Sequence, residues 1–121
     1  MKPLLATVAA ALMLFAPAFA HDSWISKGGH RNAAGEWCCG EGDCGVAVLD
    51  AERSTIRAVA GGYEVDAIFV IGSGAGAIHE RYREFVPYSE AQPSPDGAYW
   101  RCKRPDKEKS RRCFFAPPPD T

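Results

Sequence analysis

The five cysteines are the side chains with the most chemistry to offer in this chain of 121 residues. They are Cys38, Cys39, Cys44, Cys102 and Cys113. Thiols can carry out redox chemistry, bind a metal ion or pair as disulfides. The first three lie in the stretch 37–45, whose glycines do not suit the interior of a helix or strand. We therefore expect this stretch to be a tight loop held by covalent bonds.

The spacing of the cysteines does not match a redox or a zinc motif. A thioredoxin-like site needs a C-x-x-C pair in a βαβ frame, and the sequence has neither. A structural zinc site needs paired C-x₂-C ligands, whereas Cys38 and Cys39 are adjacent. A disulfide between these two neighbours would be strained and easily reduced, which is the basis of a weaker redox alternative.

Residues 1–20 have the pattern of a signal peptide. Lys2 precedes an apolar run over 4–15, and Ala18-Phe19-Ala20 is a small-x-small cleavage site. The run is shorter than the roughly 20 residues that a membrane span requires, so cleavage is expected rather than anchoring. No later stretch is long enough to span a membrane. The periplasm and the cell exterior are oxidising environments, and the cysteines of an exported protein are first interpreted as disulfides.

Cys102 and Cys113 are predicted to pair with each other. They lie near the facing ends of two aromatic segments, 98–102 and 111–115, that are predicted as strands of a hairpin. A hairpin would bring their Cα atoms to roughly the 4.4–6.8 Å that a disulfide needs.

Cys44 is then expected to pair with Cys38 or with Cys39. Five cysteines cannot all pair within one chain, so one thiol is left over. We favour Cys38–Cys44, although two adjacent cysteines cannot be ranked from sequence.

The rest of the chain is predicted to form short strands. They cover 46–49, 55–59, 63–71, 81–86, 98–102 and 111–115. The segment 81–86 has a helical alternative, because Tyr82 and Val86 would share one helix face. Gly61-Gly62 is predicted as a two-residue hairpin turn, and Pro93–Gly97 as a turn in which Asp96 closes an Asx-turn. The fold class is therefore mainly β, a small single-domain antiparallel sheet that forms a partly open barrel or a sandwich and is tied by disulfides.

This interpretation divides the chain into four parts. The signal peptide at 1–20 precedes an irregular N-terminal arm over 21–36, in which Trp24 and Ile25 could anchor the arm to the domain. The disulfide-tied β domain covers 37–115. The residues 116–121 form a proline-rich tail with no fold of its own.

Two further patterns suggest ligands. The segment 72–77 follows an apolar strand and matches G-x-G-x-x-A, the dinucleotide fingerprint, but the chain is too short for the surrounding parallel sheet, so a hairpin loop is predicted. His21 would be the mature N-terminus, where its amine and imidazole could chelate copper with His30 or His79. No spacing links the three histidines, and we predict no metal and no cofactor.

Positive charge is concentrated near the C-terminus. The cations are Arg101, Lys103, Arg104, Lys107, Lys109, Arg111 and Arg112. Only Asp106 and Glu108 oppose them within this segment, in a chain whose formal net charge is −1. Such a segment could contact an anionic surface, a lipid head group or an acidic polymer, but we favour the interpretation that it is a solvated hairpin loop. Nothing indicates nucleic acid as that partner.

Four motifs occur in order after the signal peptide. They are His21-Asp22-Ser23-Trp24, Cys38-Cys39-Gly40 with Asp43-Cys44, Ser94-Pro95-Asp96-Gly97 with Trp100-Arg101-Cys102, and Arg112-Cys113-Phe114-Phe115. In this set the chain resembles a group of small exported bacterial proteins of unknown function. The resemblance implies compartment and fold type but no activity. We expect a non-catalytic binding or structural module of the bacterial envelope; the alternative is a copper-binding periplasmic protein that uses His21.

Overall fold

The computed structural model describes residues 23–38, 43–49, 54–104 and 107–118, without the side chains of Ser23 and of 107–109. The elements are helix α1 (Ser23–Lys27) and strands β1 (Cys44–Val48), β2 (Thr55–Val59), β3 (Gly62–Ile71), β4 (Ile78–Pro87), β5 (Ala91–Pro93), β6 (Trp100–Arg104) and β7 (Lys107–Ala116). Single 3₁₀ turns at Gly74–Gly76 and Tyr88–Glu90 precede β4 and β5. The predicted signal peptide, His21 and Cys39 lie outside the described residues. No helix in the described ranges is long and apolar enough to cross a membrane.

The strands form one seven-stranded sheet that curls into a half-barrel. Its order is β2-β3-β1-β6-β7-β5, and β4 pairs with the opposite side of β3. Every pairing is antiparallel except that of β5 with β7. The predicted fold class is confirmed, and the curled sheet corresponds to the partly open barrel.

The two glycine-rich turns are both in hairpins. Ile71 is the partner of Ile78, so 72–77 joins two antiparallel strands, as predicted, and does not lead into a dinucleotide-binding helix. The turn between β2 and β3 is shifted by one residue from the prediction, because Val59 pairs with Gly62. Gly62 is instead required for close approach to β4, since a Cβ there would lie 2.2 Å from the carbonyl oxygen of Val86.

The side of the sheet that faces the N-terminal arm, called the arm face, carries one apolar cluster. Its members are Ile25, Cys38, Cys44, Trp100, Cys102, Cys113 and Phe115. The arm is irregular apart from α1, which the sequence analysis missed. Both predicted anchors are confirmed: Ile25 is buried, and the Trp24 ring packs edge-on against Phe115 at 4.9 Å between centroids.

The opposite side, called the inner face, is the concave side of the half-barrel. Alternate residues of β3, β4 and β7 supply its buried core, Val65, Ala67, Phe69, Val86, Phe114 and Ala116. Strand β7 therefore alternates between the faces, with Phe114 on the inner face and Phe115 on the arm face. Ala116 is buried and belongs to β7, one residue beyond the predicted end of the domain.

The predicted turn before β6 is confirmed and does more than reverse the chain. Asp96 Oδ1 accepts the backbone N–H of Ala98 at 3.0 Å, which is the expected Asx-turn. Asp96 Oδ2 accepts the indole N–H groups of Trp24 at 3.1 Å and Trp100 at 2.9 Å. This carboxylate thus fastens the arm to β6.

All four cysteines that were predicted to form disulfides do so, but the predicted pairing is wrong. The disulfides are Cys38–Cys113 and Cys44–Cys102. Cys102 and Cys113 do lie opposite each other on neighbouring strands β6 and β7. However, β6 also has β1 as a neighbour, and Cys44 lies directly opposite Cys102 on that side. A hairpin of two strands includes neither this second neighbour of β6 nor the contact between the arm and β7, and these two features determine the observed pairing.

Candidate anion-binding site

The cationic segment is mostly strand, so the favoured interpretation of 103–110 as a solvated hairpin loop is wrong. Strands β6 and β7 pair as far as Arg104 and Lys107. Five of the seven predicted side chains are described, namely Arg101, Lys103, Arg104, Arg111 and Arg112. The side chains of Lys107 and Lys109 are outside the described part. The five face different surroundings and are considered in turn.

Arg101 is buried on the inner face, with 1 % of its side chain exposed. Its Nε and Nη2 donate to the two carboxylate oxygens of Glu84 at 2.9 and 3.2 Å. The guanidinium carbon also lies 3.5 Å from the ring centroid of Tyr82, which is cation–π geometry. Arg101 therefore joins β6 to β4, two strands that do not pair through their backbones.

Two more cations extend this connection. Lys103 lies 3.4 Å from Glu80, which also accepts the hydroxyl of Tyr82 at 2.9 Å. Arg111 of β7 contacts Glu84 at 3.1 Å. The inner charge cluster comprises Glu80, Tyr82, Glu84, Arg101, Lys103 and Arg111. It closes the concave side of the half-barrel, so these cations have internal carboxylates as partners.

Arg104 ties the arm to the hairpin. Its Nε donates to Glu36 at 3.1 Å, its Nη2 donates to the same carboxylate, and its Nη1 donates to Ser110 Oγ at 2.5 Å. Hydrogen bonds from Arg104 and then Asn32 lower the pKa of Glu36 from its ordinary value of 4.5 to about 2. Glu36 is thus an ionised bridge between the two segments at neutral pH.

Asn32 shapes the arm at this point. Its Oδ1 accepts the backbone N–H groups of Ala34 at 3.0 Å and Glu36 at 2.9 Å. Its Nδ2 donates to the carbonyl of Arg112 at 2.8 Å. The side chain therefore both stabilises the arm turn and holds that turn beside β7.

A cavity of about 390 Å³ lies where the arm turn, the 3₁₀ turn before β5 and the β6–β7 hairpin meet. It is lined by Asn32, Ala33, Ala34, Ser89, Glu90, Arg104, Arg111 and Arg112. Arg104 is bound to Glu36, and Arg111 is bound to Glu84 and, at 2.6 Å, to Glu90. Two of the three arginines in the lining are therefore neutralised internally.

Arg112 is different from its neighbours in the hairpin. Its Nη1 donates to the carbonyl of Trp37 at 3.2 Å. Its Nε is buried and has no hydrogen-bond partner among the described residues. No carboxylate in the described ranges forms an ion pair with it, whereas the other four cations each have one. Arg112 is therefore the described cation of the hairpin whose charge is not taken up by a direct ion pair within the protein.

A second cavity, of about 420 Å³, lies beside β2, β3 and β4, and Glu84 of the inner charge cluster is part of its lining. Arg57, the cation among its described lining residues, is paired, and so is the lining carboxylate Asp66. Arg57 contacts Glu64 at 2.5 Å, and Asp66 contacts Arg81 at 2.6 Å and Arg83 at 3.2 Å. The pKa of Asp66 is lowered, and the hydrogen bond from Arg81 is the largest cause. This cavity therefore has no uncompensated cation among its described lining residues.

The histidines lie in unrelated surroundings. The His30 ring packs edge-on against Trp24 at 5.4 Å and Phe115 at 5.3 Å. His79 is exposed on β4, opposite Val70 of β3. Within the described ranges, no three His, Cys, Asp or Glu side chains are grouped so that they could hold a metal ion.

Comparisons of the chain with family models, curated proteins and solved structures found no match. The resemblance to small exported bacterial proteins thus stays a prediction. The sequence analysis selected the three arginines of the cavity but missed Asn32, Glu36, Ser89 and Glu90. These four residues lie in the arm and in the turn before β5. No short sequence pattern indicates that these two segments contact the hairpin.

Proposed function

We propose that this protein is a small exported, non-catalytic binding module of the bacterial envelope whose partner is anionic. The observation that carries the proposal is Arg112, a cation that lines a cavity and has no carboxylate partner among the described residues. The other four hairpin cations whose side chains are described bind carboxylates of the protein itself. A single uncompensated arginine in a concave site attracts negative charge.

The two disulfides support the proposal that the protein is exported. Two buried disulfides connect segments 58 and 75 residues apart in the sequence. Disulfides of this kind persist in oxidising compartments and are rare in the bacterial cytosol. Together with the signal-peptide pattern at 1–20, they favour the periplasm or the cell exterior.

The ionisable groups support binding without catalysis. Acid–base catalysts work best with a pKa near the operating pH. The carboxyl groups with resolved shifts, Glu36, Asp66 and Asp96, have lowered pKa values. Burial, with a smaller contribution from Tyr63, raises the pKa of Tyr99. Around neutral pH the three carboxylates therefore stay charged and Tyr99 stays uncharged, so none of the four groups is set to exchange a proton there.

The proposal is tested on protein expressed with its own leader. Fractionation and N-terminal sequencing should find an exported chain that begins at His21. Binding to vesicles of phosphatidylglycerol, to inorganic phosphate and to glucuronate is then compared with binding to neutral phosphatidylcholine vesicles and glucose. We expect binding to at least one anionic probe, weakened by added salt, and none to the neutral ones. A cytoplasmic protein, or equal binding to charged and neutral probes, would overturn the proposal.

A further inference from the structure

We infer that the cavity beside Arg112 takes a small organic acid that also carries a hydroxyl or amine group. Arg112 would bind the carboxylate, and Glu90 would accept a hydrogen bond from the donor group. The inference rests on the proposed function and specifies its ligand and its site.

The size of the cavity favours a single small molecule. Ligand pockets in proteins have volumes of roughly 300–1,000 Å³, and this one, at about 390 Å³, is near the lower limit. It is walled by three separate parts of the chain, the arm turn at 32–34, the turn at 89–90 and the hairpin. A molecule the size of one sugar or one amino acid fits such a space.

The charge balance favours a ligand with a single carboxylate group. The five described cations of the hairpin face four carboxylates, which are Glu36, Glu80, Glu84 and Glu90. Among these described side chains one net positive charge remains. Arg112 is the cation that makes no direct ion pair within this set, and its charge also helps to lower the pKa of Glu36. A guanidinium presents paired N–H donors that match the two oxygens of a carboxylate, so one acid group would complete the balance.

Glu90 is the reason to expect a donor on the same ligand. Its side chain is 49 % exposed and contributes Oε1 to Arg111. An ionised carboxylate accepts several hydrogen bonds, so Glu90 retains capacity for a ligand. Its negative charge would repel a dianion such as phosphate, whereas a hydroxyl or amine on the ligand would turn this side chain into a contact. Ser89, also in the lining, offers a hydroxyl beside it.

The test is an NMR titration of the oxidised, isotope-labelled protein at low ionic strength. Glucuronate and serine are the probes, because both combine a carboxylate with donors. Acetate has the acid alone, glucose has the hydroxyls alone, and phosphate is the dianion. We expect saturable shifts at 32–34, 89–90 and 111–112 with at least one of the two probes, and binding at least about tenfold weaker for each comparison compound, since a charged hydrogen bond changes affinity by about this factor.

Variants locate the site. Arg112→Gln should weaken binding of the acid about tenfold or more, Arg112→Lys should retain part of it, and Glu90→Gln should weaken it less. Arg57→Gln removes an exposed cation on the outer surface and should leave binding unchanged; thermal unfolding checks that each variant is folded. Saturable binding that Arg112→Gln does not affect, tighter binding of phosphate, or no binding of either probe would overturn the inference. Charge-dependent binding to vesicles or phosphate would in that case still support the proposed function, and loss of all anion binding would overturn both.

Discussion

The two faces of the sheet are held by different forces. On the arm face, the Cys38–Cys113 disulfide and the aromatic rings of Trp24, Trp100 and Phe115 attach the arm to the sheet, while Cys44–Cys102 links β1 to β6. On the inner face, the half-barrel is closed by ion pairs, among which Arg101 with Glu84 is the most buried. The arm has little regular structure of its own, whereas β4 and β6 are both strands that lack a shared ladder.

This difference shows that an irregular segment and a pair of unpaired strands are held in place by different kinds of interaction. A short irregular segment buries little apolar surface, so covalent ties offset the entropy of ordering it. Two strand surfaces that meet without backbone pairing can be joined by long charged side chains, because arginine reaches across and also stacks on an aromatic ring. Arg112 belongs to neither arrangement, and for that reason it is the side chain to which we assign a ligand.

The largest expected effect comes from the covalent side of the comparison. Replacing Cys38 and Cys113 together by serine should lower the free energy of unfolding by about 4 kcal/mol, because the closed loop is long. Replacing Cys44 and Cys102 together should cost a similar amount. Urea unfolding under oxidising conditions measures both. A loss below about 1 kcal/mol for either pair would show that the arm face does not depend on its disulfides.

The ion-pair side should be nearly as sensitive to the loss of one partner. Arg101→Met leaves Glu84, in a partly buried site, with Arg111 as its one remaining ion-pair partner among the described residues, and should cost about 3–5 kcal/mol. The double variant Arg101→Met with Glu84→Leu should cost much less than the sum of the single changes, which isolates the coupling. Arg57→Met, at an exposed pair, is the control and should change stability by about 0.5 kcal/mol or less. Equal losses of stability in Arg101→Met and Arg57→Met would contradict the role of Arg101 in closing the half-barrel.

A smaller effect is expected where the arm meets the turn before β6. Asp96→Ala removes the acceptor of the indole N–H groups of Trp24 and Trp100 and should cost about 1–3 kcal/mol. Burial raises the pKa of Asp96, but hydrogen bonds from Ser94, Ala98 and the two indoles outweigh it, so the pKa is lowered. Unfolding followed by tryptophan fluorescence tests this. Unchanged stability would mean that the arm is fastened by its disulfide alone.

The smallest change concerns pH. The pKa of Glu36 is about 2 in the folded protein against its ordinary value of 4.5, so its ionisation stabilises the fold fully above about pH 4.5. That contribution is lost as pH falls from about 4.5 towards 2. Glu36→Gln should therefore flatten the dependence of stability on pH in this window, as measured by thermal unfolding between pH 2 and 6. An identical pH dependence in the variant and the parent protein would rule out the bridge to Arg104.

The features that could be predicted from the sequence are those determined by residues that lie close together in the chain. The strand over 55–59, the Asx-turn at Asp96 and the hairpin over 72–77 each follow from residues close together in the chain. Helix α1 was missed because its five residues are too few to show a helical period.

Long-range partnerships were not predictable in the same way. Cys102 has two neighbouring strands, and only the nearer one in sequence was considered. The cations of the hairpin were recognised as a group, but their carboxylate partners come from β4, the arm and the turn before β5. That Arg112 forms no ion pair with a carboxylate of the described residues follows only from the packing of all these segments.

The most direct test of the account is peptide mapping of the oxidised protein without reduction. The cavity depends on the arm turn lying against β7, and Cys38–Cys113 is the covalent bond that holds it there, one residue from Arg112. The account predicts one disulfide-linked peptide pair containing Cys38 and Cys113 and another containing Cys44 and Cys102. A Cys102–Cys113 peptide pair together with a Cys38–Cys44 link would contradict it, because the arm would then have no covalent connection to β7.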